Sequence, residues 1–256
     1  MIKAVLIDLS GTLHIENQAI SGCVEALKRL REKELYIKFV TNTTKESKRI
    51  LHQRLTQLGF DVNKEDILSS LTAARNLIDQ RNLKPMLMLE QAALEDFEGI
   101  ACPSTDTPNA VIVGLAPTEF HYEKLNEAFR HLQAGAQLIA IHAGKYYKRS
   151  DGLALGPGFF VKGLEYSAEC TAEVVGKPNS SFFLSALGSQ NKPEEAIMIG
   201  DDVNDDIQGA MKAGLRGYLV QTGKYKVGDE GKISPPPSAV FPSFVEAVEN
   251  ILTQVE

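Results

Sequence analysis

The chain has 256 residues, 43% of them hydrophobic and 23% charged, enough for one large domain or two modest ones with buried cores. Its formal net charge of −6 argues against nucleic acid or an anionic membrane as the main partner, and no stretch is long and apolar enough to span a bilayer. Cys23, Cys102 and Cys170 are scattered, odd in number and without metal-type spacing. With no charged-then-apolar leader ahead of the first strand, they predict structural thiols in a reducing, cytoplasmic setting.

The first residues, KAVLIDLSGT, set the pattern. The run Ala4, Val5, Leu6, Ile7 is short and β-branched and ends near Gly11, which predicts a buried strand delivering Asp8 at its C-terminal end. A helix with Val24, Leu27 and Leu30 on one face follows, then a strand over 36–40 that runs into Thr41-Asn42-Thr43-Thr44. A second helix places Ile50, Leu51, Leu55 and Leu58 on its core side, with Gly59 as C-cap. From Leu71 the spacing predicts a helix to about Gln80, strands over 86–89 and 110–115, a helix over 122–132 and a strand over 137–141. The stretch HAGKYYKRSDGLALGPG reads as a loop leading to a helix near Phe159. Val174-Val175 then precedes Gly176-Lys177-Pro178 and a helix with Phe182, Phe183 and Leu184. A strand over 196–199 ends in Gly200-Asp201-Asp202-Val203-Asn204-Asp205-Asp206. A helix through Ile207, Ala210 and Met211, a strand over 217–220, a loop at Pro235-Pro236-Pro237 and a helix over 244–252 complete the chain.

Strands alternating with helices through short connections predict an α/β protein with a Rossmann-like parallel-sheet core, residues 1–75 and 174–256. The looser middle, residues 76–173, reads as an inserted, smaller α/β cap domain. Asp8, the Thr41-Asn42 pair and the acidic cluster 201–206 each follow a predicted strand, and a parallel sheet brings such strand ends to one edge. Carboxylates converging there make a hard-cation site of the oxygen-ligand type, suited to Mg²⁺. Thr41 and Asn42 offer a hydroxyl and an amide to phosphate oxygens, and Lys177 adds a positive charge at a turn opening a helix. Taken singly, each has a plainer explanation: a capping turn, a helix start, a solvated acidic loop. Their order along the chain favours the chemical one.

DLSGT, TNTT, GKP and GDDVNDD resemble, in order, the four motifs of the haloacid dehalogenase superfamily of hydrolases. The insert between the second and third is similar to the large α/β cap of the subgroup that contains nucleotide and pyridoxal phosphate phosphatases. The resemblance implies that Asp8 attacks phosphorus to form an aspartyl-phosphate. It implies Mg²⁺ held by the Asp8 carboxylate, the Ser10 backbone carbonyl and the Asp201 carboxylate. Thr41, Asn42 and Lys177 would clamp the phosphoryl group of a small phosphorylated substrate or phospho-amino acid. Asp202, Asp205 and Asp206 would orient metal-bound water or cap the helix rather than ligate directly.

One position departs from the pattern. Most phosphatases of the superfamily carry a second Asp two residues after the nucleophile, as general acid and then base, and this chain has Ser10. A hydroxyl does not exchange a proton reversibly near neutral pH, and the lost shuttle is worth about 10²–10⁴-fold. The expected result is a weak phosphatase favouring good leaving groups. The alternative is a non-catalytic phosphate- and metal-binding protein, and carbon–halogen hydrolysis is disfavoured because it needs no Mg²⁺. His14 reads as a solvated or packed loop histidine, with substitute proton carrier as the other option. The stretch from Lys145 to Arg149 is either an anion-accepting lid surface or a polar loop with two half-buried tyrosines. The cap's apolar faces are candidate surfaces for a homodimer.

Overall fold

The computed structural model describes residues 1–100, 107–149 and 152–255, the side chains of Lys148, Arg149 and Leu153 excepted. Cys102 lies outside the described residues. The chain opens with β1 (Ala4–Ile7), four consecutive buried apolar residues. A two-residue hairpin, β2 (His14–Ile15) with β3 (Gln18–Ala19), precedes α1 (Cys23–Arg31), whose buried stripe is Cys23, Ala26, Leu27 and Leu30. Next come β4 (Tyr36–Thr41), α2 (Lys48–Gln57) and β5 (Ile67–Ser69). The middle of the chain contributes α3 (Ser70–Arg81), β6 (Pro85–Met88), β7 (Ala110–Val113), α4 (Tyr122–Gln133) and β8 (Gln137–Ala140). It continues with β9 (Tyr146–Arg149), β10 (Gly152–Leu155), α5 (Pro157–Ala168) and β11 (Glu173–Val174). The last third holds α6 (Ser180–Leu187), β12 (Ala196–Gly200), a π-helical turn (Val203–Gln208) running into α7 (Gly209–Lys212), β13 (Arg216–Val220), β14 (Ala239–Phe241) and α8 (Phe244–Leu252).

Two compact units result. The first comprises Met1–Thr41, Arg49–Leu68 and Lys177–Glu256; the second comprises Asn42–Lys48 and Ser69–Gly176. The first is built on a six-stranded sheet in the order β14-β13-β12-β1-β4-β5. The pairs β14–β13, β13–β12, β12–β1 and β1–β4 are parallel, as expected of βαβ crossovers. The central strands are buried on both faces, so they read as unbroken apolar runs rather than alternating ones.

The second unit has its own parallel sheet, in the order β11-β8-β7-β6. Side-chain alternation splits β7: Ala110 and Ile112 join a cluster with Leu71, Ala74 and Ile78 of α3, while Val111 and Val113 pack with Ala128 of α4 and Leu164 of α5. The stretch read as a loop is instead an antiparallel hairpin, Tyr146 opposite Leu155 and Tyr147 opposite Ala154. Its residues alternate too weakly in hydrophobicity to signal strands. The glycines after it serve close packing: a Cβ at Gly156 would lie 2.1 Å from the Gly144 carbonyl oxygen, and one at Gly158 2.5 Å from that of Ala143. The following helix starts at Pro157, two residues before the expected Phe159, because proline suits the first helical turn.

Candidate active site

Strand register in the first unit carries the polar residues to one sheet edge. Ile7 lies opposite both Phe39 of β4 and Ile199 of β12. The chain therefore leaves β1 at Asp8, β4 at Thr41 and β12 at Asp201 at nearly the same height, the crevice position of open α/β sheets.

Asp8 is buried and held on both carboxylate oxygens. Lys177 Nζ donates to Oδ1 at 2.5 Å and Thr12 Oγ1 to Oδ2 at 3.1 Å. The same ammonium donates to Asp206 Oδ1 at 2.6 Å and to the Val40 carbonyl at 3.1 Å. Lys177, Asp201 and Asp206 are 3%, 1% and 1% exposed, so these charges meet out of contact with bulk water. One oxygen from each of Asp8, Asp201 and Asp206 lies within 4.8 Å of the others, a grouping of metal-binding dimensions.

Electrostatics of the cluster point one way. Burial, then the charges of Asp8 and Asp206, push the Asp201 carboxyl well above the usual carboxylate range. Burial likewise outweighs Lys177 and pushes Asp206 up to about 7. Burial acts to lower Lys177, but Asp206 and Asp8 outweigh it and raise the ammonium's pKa. Asp201 and Asp206 are thus both shifted toward their protonated forms, the behaviour of buried carboxyls crowded by like charge.

The acidic run divides its labour. Asp202 caps the π-helical turn, its Oδ1 accepting from the amides of Asn204 and Asp205 at 3.0 Å each. Asp206 instead turns inward to Lys177 and accepts the Asp202 amide at 3.1 Å. Room for it comes from Gly200, where a Cβ would stand 2.4 Å from Asp206. Sequence reasoning did not single out Asp206 as a partner of Lys177, nor Thr12, nor the segment after β13 that donates to Asp201 from the Lys224 amide at 2.6 Å. The polar run Gln221-Thr222-Gly223-Lys224 after an apolar strand was the available signal.

Ser10 is exposed on the turn after Asp8 and forms an isolated bridge with His14. His14 is a packed histidine, buried, with Nδ1 3.0 Å from the Glu16 carbonyl. Thr41 is buried at the end of β4. Asn42, next in the chain, counts with the second unit, where Gly176 packs on it: a Cβ at 176 would lie 2.5 Å from Asn42 Oδ1. In that unit Lys45 Nζ sits 3.8 Å from the centre of the Tyr147 ring, so this tyrosine of the basic stretch stacks with a cation. The side chains of Lys148 and Arg149 lie outside the described residues. Cys23 is buried, and burial followed by Glu246 pushes its thiol up to about 12, which makes it inert. Among the described residues, no helix is long and apolar enough to cross a membrane.

Comparison with known proteins bears on the family and the fold. A family model described as haloacid dehalogenase-like hydrolase matches residues 5–100, and one described as HAD-hydrolase-like matches residues 174–247. Haloacid dehalogenase-like hydrolase domain-containing protein 2 of Rattus norvegicus is 59% identical over 253 residues, covering 98% of this chain and 96% of the relative. The phospholysine phosphohistidine inorganic pyrophosphate phosphatase of Danio rerio is 38% identical over 259 residues, covering 98% and 95%. Among solved structures, the p-nitrophenyl phosphatase from Archaeoglobus fulgidus superposes with a TM-score of 0.89 at 25% identity, covering 97% of this chain and 99% of that one. A glycerol phosphate phosphatase from Mycobacterium tuberculosis in complex with magnesium gives 0.84 at 26% identity, covering 95% and 76%.

Proposed function

Since the chain belongs to the haloacid dehalogenase-like hydrolase family, and is a phosphohydrolase by that membership, we propose that it is a Mg²⁺-dependent phosphatase working through an aspartyl-phosphate on Asp8. The observation that carries the reading is the buried cluster of Asp8, Lys177, Asp201 and Asp206 at one sheet edge.

The donor set fits a hard divalent cation: carboxylate oxygens gathered within 4.8 Å, and a charge balance that pushes Asp201 and Asp206 to hold protons in its place. Asp8 and Asp201 with the Ser10 carbonyl would hold Mg²⁺, and the magnesium complex of a structural relative supports the choice of ion. When bound, the ion neutralises phosphoryl oxygens and the attacking carboxylate.

Asp8 attacks phosphorus as the bond to the leaving group breaks, and the phosphoryl group becomes esterified to its carboxylate. Lys177 and Thr12 fix the orientation of Asp8 before attack, so little reorganisation accompanies the reaction. Thr41 and Lys177 provide hydroxyl and ammonium donors for the phosphoryl oxygens. Water then cleaves the acyl phosphate, releasing phosphate and restoring Asp8.

Ser10 sets the substrate range. No carboxyl stands at that position to protonate a departing alkoxide, so alkyl monoesters react slowly. Phosphoramidates, pyrophosphate and aryl phosphates, whose leaving groups depart as weaker bases or carry their own proton, are the favoured class. The name of the Danio rerio relative belongs to that chemistry. The second reading, a binding protein without turnover, draws support from Ser10 alone.

Phosphate release from an aryl phosphate, phospholysine, pyrophosphate and an alkyl monoester, with and without Mg²⁺, tests the proposal. Mg²⁺-dependent turnover of the first three ahead of the fourth, reduced at least about 10³-fold in Asp8→Asn, is expected. Absence of turnover on all four in a protein that binds Mg²⁺ and phosphate would favour the binding reading.

A further inference from the structure

The segment following β13 wraps the Asp201 carboxylate. Gly200 of β12 lies opposite Leu219 of β13, so the chain leaving β13 passes directly beside Asp201. The Lys224 amide donates to Asp201 Oδ2 at 2.6 Å. Thr222 Oγ1 donates to the carbonyl of Gly11 at 2.6 Å, and the Tyr225 amide closes the turn onto the Thr222 carbonyl at 3.0 Å. Two glycines complete the enclosure. Gly223, at φ 56°, has no room for a side chain: a Cβ would lie 2.1 Å from Asp201 Oδ2 and 2.5 Å from the Gly11 Cα. Gly11, at φ 97°, approaches the same oxygen, also 2.1 Å from where its Cβ would be. Both backbone conformations are ones that side chains disfavour.

We propose that Thr222, Gly223 and Lys224 form a positioning clip for Asp201, fixing Oδ2 with a backbone amide so that Oδ1 is the oxygen left for a divalent cation. The inference rests on the metal-site reading of Asp201 and adds residues to it. A backbone amide is a donor with no rotamers to lose, so a short bond from it fixes the orientation of the carboxylate without ordering a further side chain. Thr222 ties the clip to Gly11, on the turn directly after Asp8. The two carboxylates are thereby referenced to one rigid piece of backbone. Such outer partners of a metal ligand are worth about 10–100-fold in metal affinity.

The test is Mg²⁺ titration of the full chain by calorimetry, alongside thermal melting in a chelator. Thr222→Val removes the hydroxyl and keeps the shape, and is expected to weaken Mg²⁺ binding about 10-fold. Thr222→Ser keeps the hydroxyl and should bind as wild type. Gly223→Ala should weaken binding at least as much as Thr222→Val. Lys224→Ala retains the amide and loses an ammonium that lies 3.4 Å from Asp202 and also acts on Asp201, so it should not weaken Mg²⁺ binding. Wild-type affinity in both Thr222→Val and Gly223→Ala would overturn the clip while leaving the metal site standing. Equal losses in Thr222→Val and Thr222→Ser, or losses matched by a fall in metal-free melting temperature, would also overturn it. A wild-type protein that binds no Mg²⁺ would overturn the clip together with the reading it rests on.

Discussion

Replacing Lys177 with methionine removes an ammonium in contact with both Asp8 and Asp206 and keeps most of the side-chain volume. At 2.5 Å and an effective dielectric near 20, each ion pair represents roughly 7 kcal/mol of gross attraction, most of it offset by the desolvation of the charges. Deleting one partner of such a buried set typically costs about 3–5 kcal/mol, because uncompensated charge is left behind. Protonation sets a ceiling on that cost. Neutralising a carboxylate whose ordinary pKa is 3.8 costs about 1.36 kcal/mol for every pH unit above it, roughly 5 kcal/mol at pH 7.5 and about 1.6 at pH 5. The sign follows from linkage: the Asp206 carboxyl has a raised pKa in the folded state, so the penalty is complete above that value and vanishes below the unfolded one. In chelator at pH 7.5, Lys177→Met should therefore melt about 6–20 °C below wild type, and the gap should narrow toward pH 5. Adding Asp206→Asn should recover much of the stability at pH 7.5 without recovering turnover. A single variant melting within a few degrees of wild type at pH 7.5, or a double variant no more stable than the single, would refute the charge argument.

Ser10 stands exposed on its turn, so an aspartate there meets no packing obstacle, and Ser10→Asp should raise turnover of alkyl monoesters by about 10²-fold while changing aryl phosphates much less. Parallel steady-state assays on the two substrates check it, and equal changes on both would count against the missing-acid account. The stability of the metal-free protein should fall as pH rises from about 4 to about 7, because folded Asp206, raised to about 7, keeps a proton that the unfolded chain has lost. Saturating Mg²⁺ should in consequence raise the melting temperature more at pH 8 than at pH 5.5. A cation-induced shift independent of pH, read by scanning calorimetry, would contradict the assignment of these acids.

How much of this was legible beforehand depends on how local the determining physics is. Unbroken apolar runs at Ala4–Ile7 and Ala196–Gly200 announce strands buried on both faces, and the helices between them announce parallel pairing. Parallel pairing in register is enough to bring Asp8, Thr41 and Asp201 to one edge, so the candidate site was readable as a set of strand ends. The hairpin Tyr146 to Leu155 was not, since its strands carry tyrosines, cations and small residues in place of clean alternation, and are held by each other's backbone.

The sequence by itself determined the fold class, the central strands and helices of the core and the chemical types gathered at the sheet edge, because these follow from periodicity and from strand ends. Only the tertiary structure decided that Asp202 caps while Asp206 turns inward to Lys177, and that Thr222 and Lys224 reach back to Gly11 and Asp201. Those contacts depend on how closely two backbones approach, and the approach is made possible by absent side chains at Gly11, Gly200 and Gly223. A glycine required for close contact is written with the same letter as one that merely turns the chain, and the neighbour that distinguishes them can lie as far along the chain as Asp201 does from Gly11.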